Sequence, residues 1–135
     1  MGALTALVCD SSVLLEILLR TGRADPVAAL IEDEIADLHV PALCDIEVVS
    51  AVRRLSRMGF LPGDRGDGVV EDYLDLPLIR HGHTALLERI LALRENFSAY
   101  DATYVALAER LSAPLATRDA RLIRATRRHT DLALL

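Results

Sequence analysis

Two aspartates stand just past the ends of apolar, strand-like runs: Asp10 in Cys9-Asp10-Ser11-Ser12, and Asp119 in Thr117-Arg118-Asp119. In an open parallel α/β sheet, ligands bind outside the carboxyl ends of the strands, so acids at two such ends face one crevice. Glu47, in the first turns of an expected helix, and Asp101, at the start of another, are placed to join them. Four carboxylates around one crevice repel one another in a low dielectric unless a hard divalent cation neutralises them. An all-carboxylate donor set favours Mg²⁺ or Mn²⁺ over zinc or copper, and leaves coordination positions to water and substrate. Such a site suits phosphodiester hydrolysis, because the ion lowers the pKa of an attacking water and stabilises charge on the leaving oxygen. Asp10, Asp101 and Asp119 are the expected metal ligands, with Glu47 holding a second ion or its water. Whether one ion or two act stays open.

Alternating strand and helix signals are expected to position these acids. Leu4 to Cys9 reads as a buried strand, and Val13, Leu14, Ile17 and Leu18 follow at helical spacing, with Ser11 or Ser12 as cap. Pro26 suits the first turn of a second helix through Ala29, Leu30, Ile31 and Ile35. Leu38-His39-Val40 is a short strand closed by Pro41, and a longer helix runs from about Leu43 to Met58, ended by Gly59. On it Val48, Val52 and Leu55 share the core stripe, whereas Glu47, Ala51, Arg54 and Met58 form a neighbouring one. Arg54 then lies about 10 Å along the axis from Glu47, within reach of a phosphate, although a solvated arginine there is equally ordinary.

Gly59 to Gly68 reads as a loop or weak helix, Val69 to Leu74 as helical, and Leu76 to Ile79 as a strand. The Arg65-Gly66-Asp67 tripeptide spells a cell-adhesion motif by chance, and His81-Gly82-His83 lacks further ligands for zinc and reads as a turn before the helix through Leu86, Leu87, Ile90, Leu91 and Leu93. Ser98 and Asp101 resemble a capping box opening a helix through Tyr104, Leu107, Ala108 and Leu111. A cap role alone does not explain why the next strand, Leu115-Ala116-Thr117, ends at a second acid. Four acids at turns and helix starts of one alternating pattern are therefore read together.

Composition sets the bounds. A chain of 135 residues, 52% of them apolar, fits one compact domain, taken as residues 1–135. No apolar stretch approaches the roughly 20 residues that span a bilayer, and no basic segment precedes the first apolar run, so the expected compartment is the cytoplasm. Its two cysteines, Cys9 and Cys44, form no disulfide framework. A net charge of −5 argues against a nucleic-acid partner unless bound cations cancel the acids where a phosphate approaches. All 15 cationic side chains are arginine, whose planar fork suits phosphate. With no lysine, the chain lacks what a phosphoacceptor receiver module needs beside its acidic pocket.

Asp10-Ser11-Ser12-Val13-Leu14-Leu15, the Glu47 helix, Tyr100-Asp101-Ala102-Thr103-Tyr104-Val105-Ala106-Leu107-Ala108 and Leu115-Ala116-Thr117-Arg118-Asp119-Ala120-Arg121-Leu122 resemble the PIN-domain ribonucleases. Among these the chain is most similar to the VapC toxins of bacterial toxin-antitoxin pairs, over essentially its whole length. The resemblance implies a three-layer α/β/α domain with a central, mostly parallel sheet of four to five short strands. It also implies that Asp10, Glu47, Asp101 and Asp119 are an intact metal-site quartet, that Ser12 and Thr117 are hydroxyls near the metals, and that Asn96 is a supporting polar residue. Cleavage of single-stranded or loop RNA follows from it, with Arg54, Arg57, Arg118 and Arg121 as candidates for guiding phosphates. A cognate antitoxin, a homodimer as the basic unit and a higher assembly with the antitoxin are further implications. Leu14, Leu15, Leu18 and Leu19, with the Ala28 to Ile35 helix, are the expected antitoxin surface. A structure-specific DNA nuclease with the same site, a non-catalytic Mg²⁺-binding receiver-like signalling module despite the missing lysine, or a catalytically silent interaction domain remain the alternatives.

Overall fold

Among the described residues the chain crosses one sheet four times, and every strand pairing is parallel. The structure, a computed structural model, describes residues 5–19, 28–30 and 36–135. Strand β1 (Ala6–Cys9) leads into helix α1 (Ser11–Leu19), and β2 (Asp37–Pro41) into α2 (Leu43–Arg57) and α3 (Arg65–Asp75). Strand β3 (Leu78–His81) is followed by a 3₁₀ turn (Thr84–Leu86), α4 (Leu87–Ala92) and α5 (Ala99–Leu111). The chain then returns through β4 (Leu115–Ala116) and α6 (Ala120–His129).

The strand order is β3-β2-β1-β4. From β1 to β3 the sheet grows in one direction, and right-handed crossovers therefore put α1, α2 and α3 on one face. Growth then reverses, and α4 and α5 cross the opposite face, where α5 packs on β1, β2 and β4. The result is a three-layer α/β/α sandwich with its switch point between β1 and β4, where a crevice opens beyond the strand ends. Receiver domains follow a 2-1-3-4-5 order, so topology as well as the missing lysine excludes that module. Beyond β4, Leu115 donates its N–H to Ala133 and accepts from Leu135, so the final residues cover the outer edge.

Both faces of the sheet are covered, and the strands are accordingly apolar: Leu7, Val8, Cys9, Val40 and Leu115 are fully buried. Helix α2 ends in a Schellman motif in which Gly59, at φ +83°, lets its N–H reach Ser56 O and that of Phe60 reach Leu55 O. Three local expectations shift. The segment read as a loop or weak helix is helical from Arg65, which puts the Arg65-Gly66-Asp67 tripeptide in the first turn of α3. A Cβ on Gly66 would sit 3.1 Å from Ser56 Oγ and 3.2 Å from Val52 Cγ1, so this glycine serves a close helix crossing rather than a turn. The third strand lies two residues later than expected, at Leu78–His81. The expected helix from Pro26 to Ile35 falls largely outside the described residues.

Candidate active site

Asp10 leaves β1 at the switch point, 6% exposed. It, rather than Ser11 or Ser12, caps α1, its Oδ1 accepting from Val13 N at 3.3 Å. Ser12 is thereby released for another task. Its hydroxyl donates to Asp10 Oδ1 at 2.6 Å and accepts from Arg118 N at 2.9 Å. Thr117 repeats the pattern, donating to Asp10 Oδ2 at 2.5 Å and accepting from Asp119 N at 3.0 Å. Each hydroxyl has one proton, and because an amide occupies its lone pair, that proton goes to the carboxylate. Two hydroxyls thus tie the buried Asp10 to the loop that presents Asp119. Asp119 in turn caps α6 through Oδ1, which accepts from Arg121 N and Leu122 N.

Glu47 arrives from α2 and Asp101 from the first turn of α5. Tyr104, one turn beyond Asp101 and buried, donates its hydroxyl to Glu47 Oε1. Ser98 caps α5 by accepting from Asp101 N at 3.1 Å, the backbone half of the expected capping box, and its side chain also interacts with the Asp101 carboxylate. The four acids form a closed electrostatic circuit. Asp10 and Asp101 both feel Asp119, and Glu47 feels both Asp10 and Asp101. Burial, with these repulsions added, raises Asp10, Glu47 and Asp101 above the usual carboxylate range, against hydrogen bonds from Ser12, Thr117, Tyr104 and Ser98 that lower them. Arg121 pulls Asp101 down.

Among the described residues, no three acidic, histidine or cysteine side chains already stand together as a formed metal cage. The donor set nevertheless fits a hard cation in chemistry: oxygen donors only, from four elements, with the charges on Asp10, Glu47 and Asp101 disfavoured by burial and by their neighbours. A divalent ion would relieve that repulsion, so Asp10, Glu47, Asp101 and Asp119 are the residues suited to hold it.

The sequence profile of the PIN domain matches residues 7–128. The chain belongs to the PIN-domain family. This PIN domain is 40% identical over 116 residues to ribonuclease VapC9 of Mycobacterium tuberculosis, an overlap of 86% of this chain and 87% of that protein. In fold it is similar to the crystal structure of PAE2754 from Pyrobaculum aerophilum, with a TM-score of 0.72, 21% identity, and coverage of 97% of this chain and 83% of that one. It is also similar to VapBC2 from Rickettsia felis, solved bound to a DNA fragment from their promoter, with a TM-score of 0.70, 12% identity, and coverage of 97% and 98%.

The remaining residues of the sequence reading divide. Arg121 lines a groove together with Asp101, Asn96 and Ser98. Asn96 makes no side-chain hydrogen bond to any of the acids among the described residues. Arg118 is paired with Glu16, Nε to Oε2 at 3.0 Å, which fixes the loop onto α1. Arg54 and Arg57 are exposed on the last turns of α2 and touch none of the four acids. Sequence reasoning missed Tyr104, 57 residues from the carboxylate it holds. It also missed His83, whose Nε2 accepts from Leu43 N at 3.0 Å and so serves the start of the Glu47 helix.

Proposed function

We propose that this PIN domain is a Mg²⁺- or Mn²⁺-dependent endoribonuclease acting as the toxin of a toxin-antitoxin pair. The observation that carries the reading is the circuit of Asp10, Glu47, Asp101 and Asp119 at the switch point, in a chain closely similar to a protein named a ribonuclease. When bound there, the cation supplies an acidified water and charge neutralisation at the phosphate. The protein's own residues supply orientation. Ser12 and Thr117 fix both oxygens of Asp10, and Tyr104 fixes Oε1 of Glu47, leaving Oε2 to hold the water that the cation would bind and to take its proton. The water oxygen forms its bond to phosphorus as the bond to the leaving ribose oxygen breaks, and that oxygen takes a proton from solvent.

The partner is a cognate antitoxin, and the basic unit is a homodimer that enters a larger assembly with it. An apolar groove of about 460 Å³ lined by Leu19, Leu55, Phe60 and Leu61 supports docking of such a partner against α1, with Phe60 66% exposed. Leu14 and Leu18, by contrast, are buried in the core and leave the α1 share of that surface to Leu19. Among the described residues no helix is long and apolar enough to cross a membrane.

The test is end-mapping of total RNA incubated with purified protein, beside an Asp119→Asn variant and a matched flap-DNA substrate. Discrete RNA ends that require Mg²⁺ and vanish with EDTA or with the variant are expected. Cleavage that survives the variant, or that is confined to the DNA, would overturn the reading.

A further inference from the structure

A groove of about 480 Å³ runs from Asp101 along one face of α6. One wall is the Asn96–Ser98 loop; the other carries Arg121, Arg124 and Arg128, spaced at i, i+3 and i+7 so that they share a face. From first to last they span about 10 Å of helix axis at ~1.5 Å per residue. The buried ring of Phe97 meets the His129 ring edge-on at 6.4 Å, which anchors the far end of the helix beside the groove.

Helix stability does not account for this arrangement. Cations favour the last turn of a helix, which suits Arg128, but Arg121 occupies the first turn, where the dipole disfavours it. Like charges at i, i+3 and i+4 spacing also repel. Among the described residues, ion pairs engage Arg80, Arg89, Arg94 and Arg118 and leave Arg124 and Arg128 without a carboxylate partner. In a chain of net charge −5, an arginine row that begins beside Asp101 and whose outer members, Arg124 and Arg128, have no carboxylate partner among the described residues is a local inversion of sign. A planar guanidinium matches phosphate oxygens in a bidentate fork.

We propose that this groove is the track for the backbone phosphates of single-stranded RNA flanking the scissile bond, held by Arg121 next to the reacting phosphate and by Arg124 and Arg128 beyond it. The inference rests on the ribonuclease reading and adds the path of the strand. Backbone contacts position a nucleic acid without reading its sequence, so the track sets affinity and register, not base preference.

Each phosphate contact to a single strand contributes about 0.7 to the slope of log K against log salt concentration. The experiment is a salt titration of a fluorescein-labelled single-stranded RNA by anisotropy, in EDTA so that the strand is bound and not cut. For Arg124→Ala with Arg128→Ala, the slope should become shallower by about 1.4, with Lys at both positions restoring it. Arg127→Ala, the same charge on the same helix but outside the groove, should leave the slope near that of wild type. Equal slopes for the double variant and wild type, or equal losses for Arg127→Ala and the double variant, would overturn the track. If the double alanine variant does not fold, Arg124→Gln alone should remove about 0.7. In Mg²⁺ the double variant should raise KM for RNA and keep kcat. Wild-type protein that binds with the expected slope yet cuts no RNA would remove the ribonuclease reading while leaving the track supported.

Discussion

Asp101 separates the two roles a carboxylate at a helix start can have. The cap on α5 is the Ser98 hydroxyl accepting from the Asp101 backbone N–H, so Asp101→Asn keeps that hydrogen bond while removing the charge. Metal-dependent cleavage should fall by more than about a hundredfold, since even residues that merely orient ligands cost 10- to 100-fold. The melting temperature without metal should be unchanged or higher, because repulsion from Asp119 disappears. A large loss of stability with cleavage retained would assign the residue to capping. Tyr104→Phe tests the other side of the crevice. Its hydroxyl lowers Glu47, so removal should push that carboxyl further up and shift the acid limb of the pH–rate profile to higher pH. A profile that stays in place would mean that Glu47 does not titrate in the rate-limiting step.

Helix ends decide where the acids stand, and one of them carries strain. Ser112 closes α5 in the left-handed region at φ 50°, with Ala113 N reaching Ala108 O and Ser112 N reaching Glu109 O, the pattern for which glycine is preferred. Ser112→Gly should raise stability by roughly 0.5–1 kcal/mol in chemical denaturation, and cleavage should not change. The alternation of apolar runs and turns made β1, β2, β4 and their trailing acids legible in the sequence, because parallel strands buried on both faces read as short apolar runs. The first turn of α3 was not legible: Gly66 and Gly68 weaken any helical pattern, and only the crossing over α2 explains why one of them is there. Within the site, spacing disclosed the four carboxylates but not the hydroxyl of Tyr104 or the imidazole of His83, since a pairing across 57 or 40 residues leaves no local periodicity. Arg124 and Arg128 escaped notice for a related reason. A basic row has meaning only once the helix that bears it is set against the acidic crevice.

At the scale of the whole molecule, the crowded acids link folding to protons and, on the metal-site proposal, to cations. Asp10, Glu47 and Asp101 are raised in the folded chain, so the folded state holds these protons more tightly than the unfolded one does. Their contribution to stability is fully present below the ordinary carboxylate range and is lost as pH rises through the raised values. Added Mg²⁺ should reverse that decline, contributing about 1.4 kcal/mol for each tenfold excess over its Kd. Thermal melts at acidic and neutral pH, with and without Mg²⁺, should therefore show a large ion-induced rise near neutrality and little in acid. Equal rises at both would place the ion elsewhere. The closing residues carry a practical corollary for anyone handling the protein. Ala133 and Leu135 are stitched to Leu115, on the short ribbon that leads straight into the Thr117-Arg118-Asp119 corner. A bulky group attached at Leu135 would tug on that corner, and clipping the stitch would bare a sticky margin able to recruit other molecules.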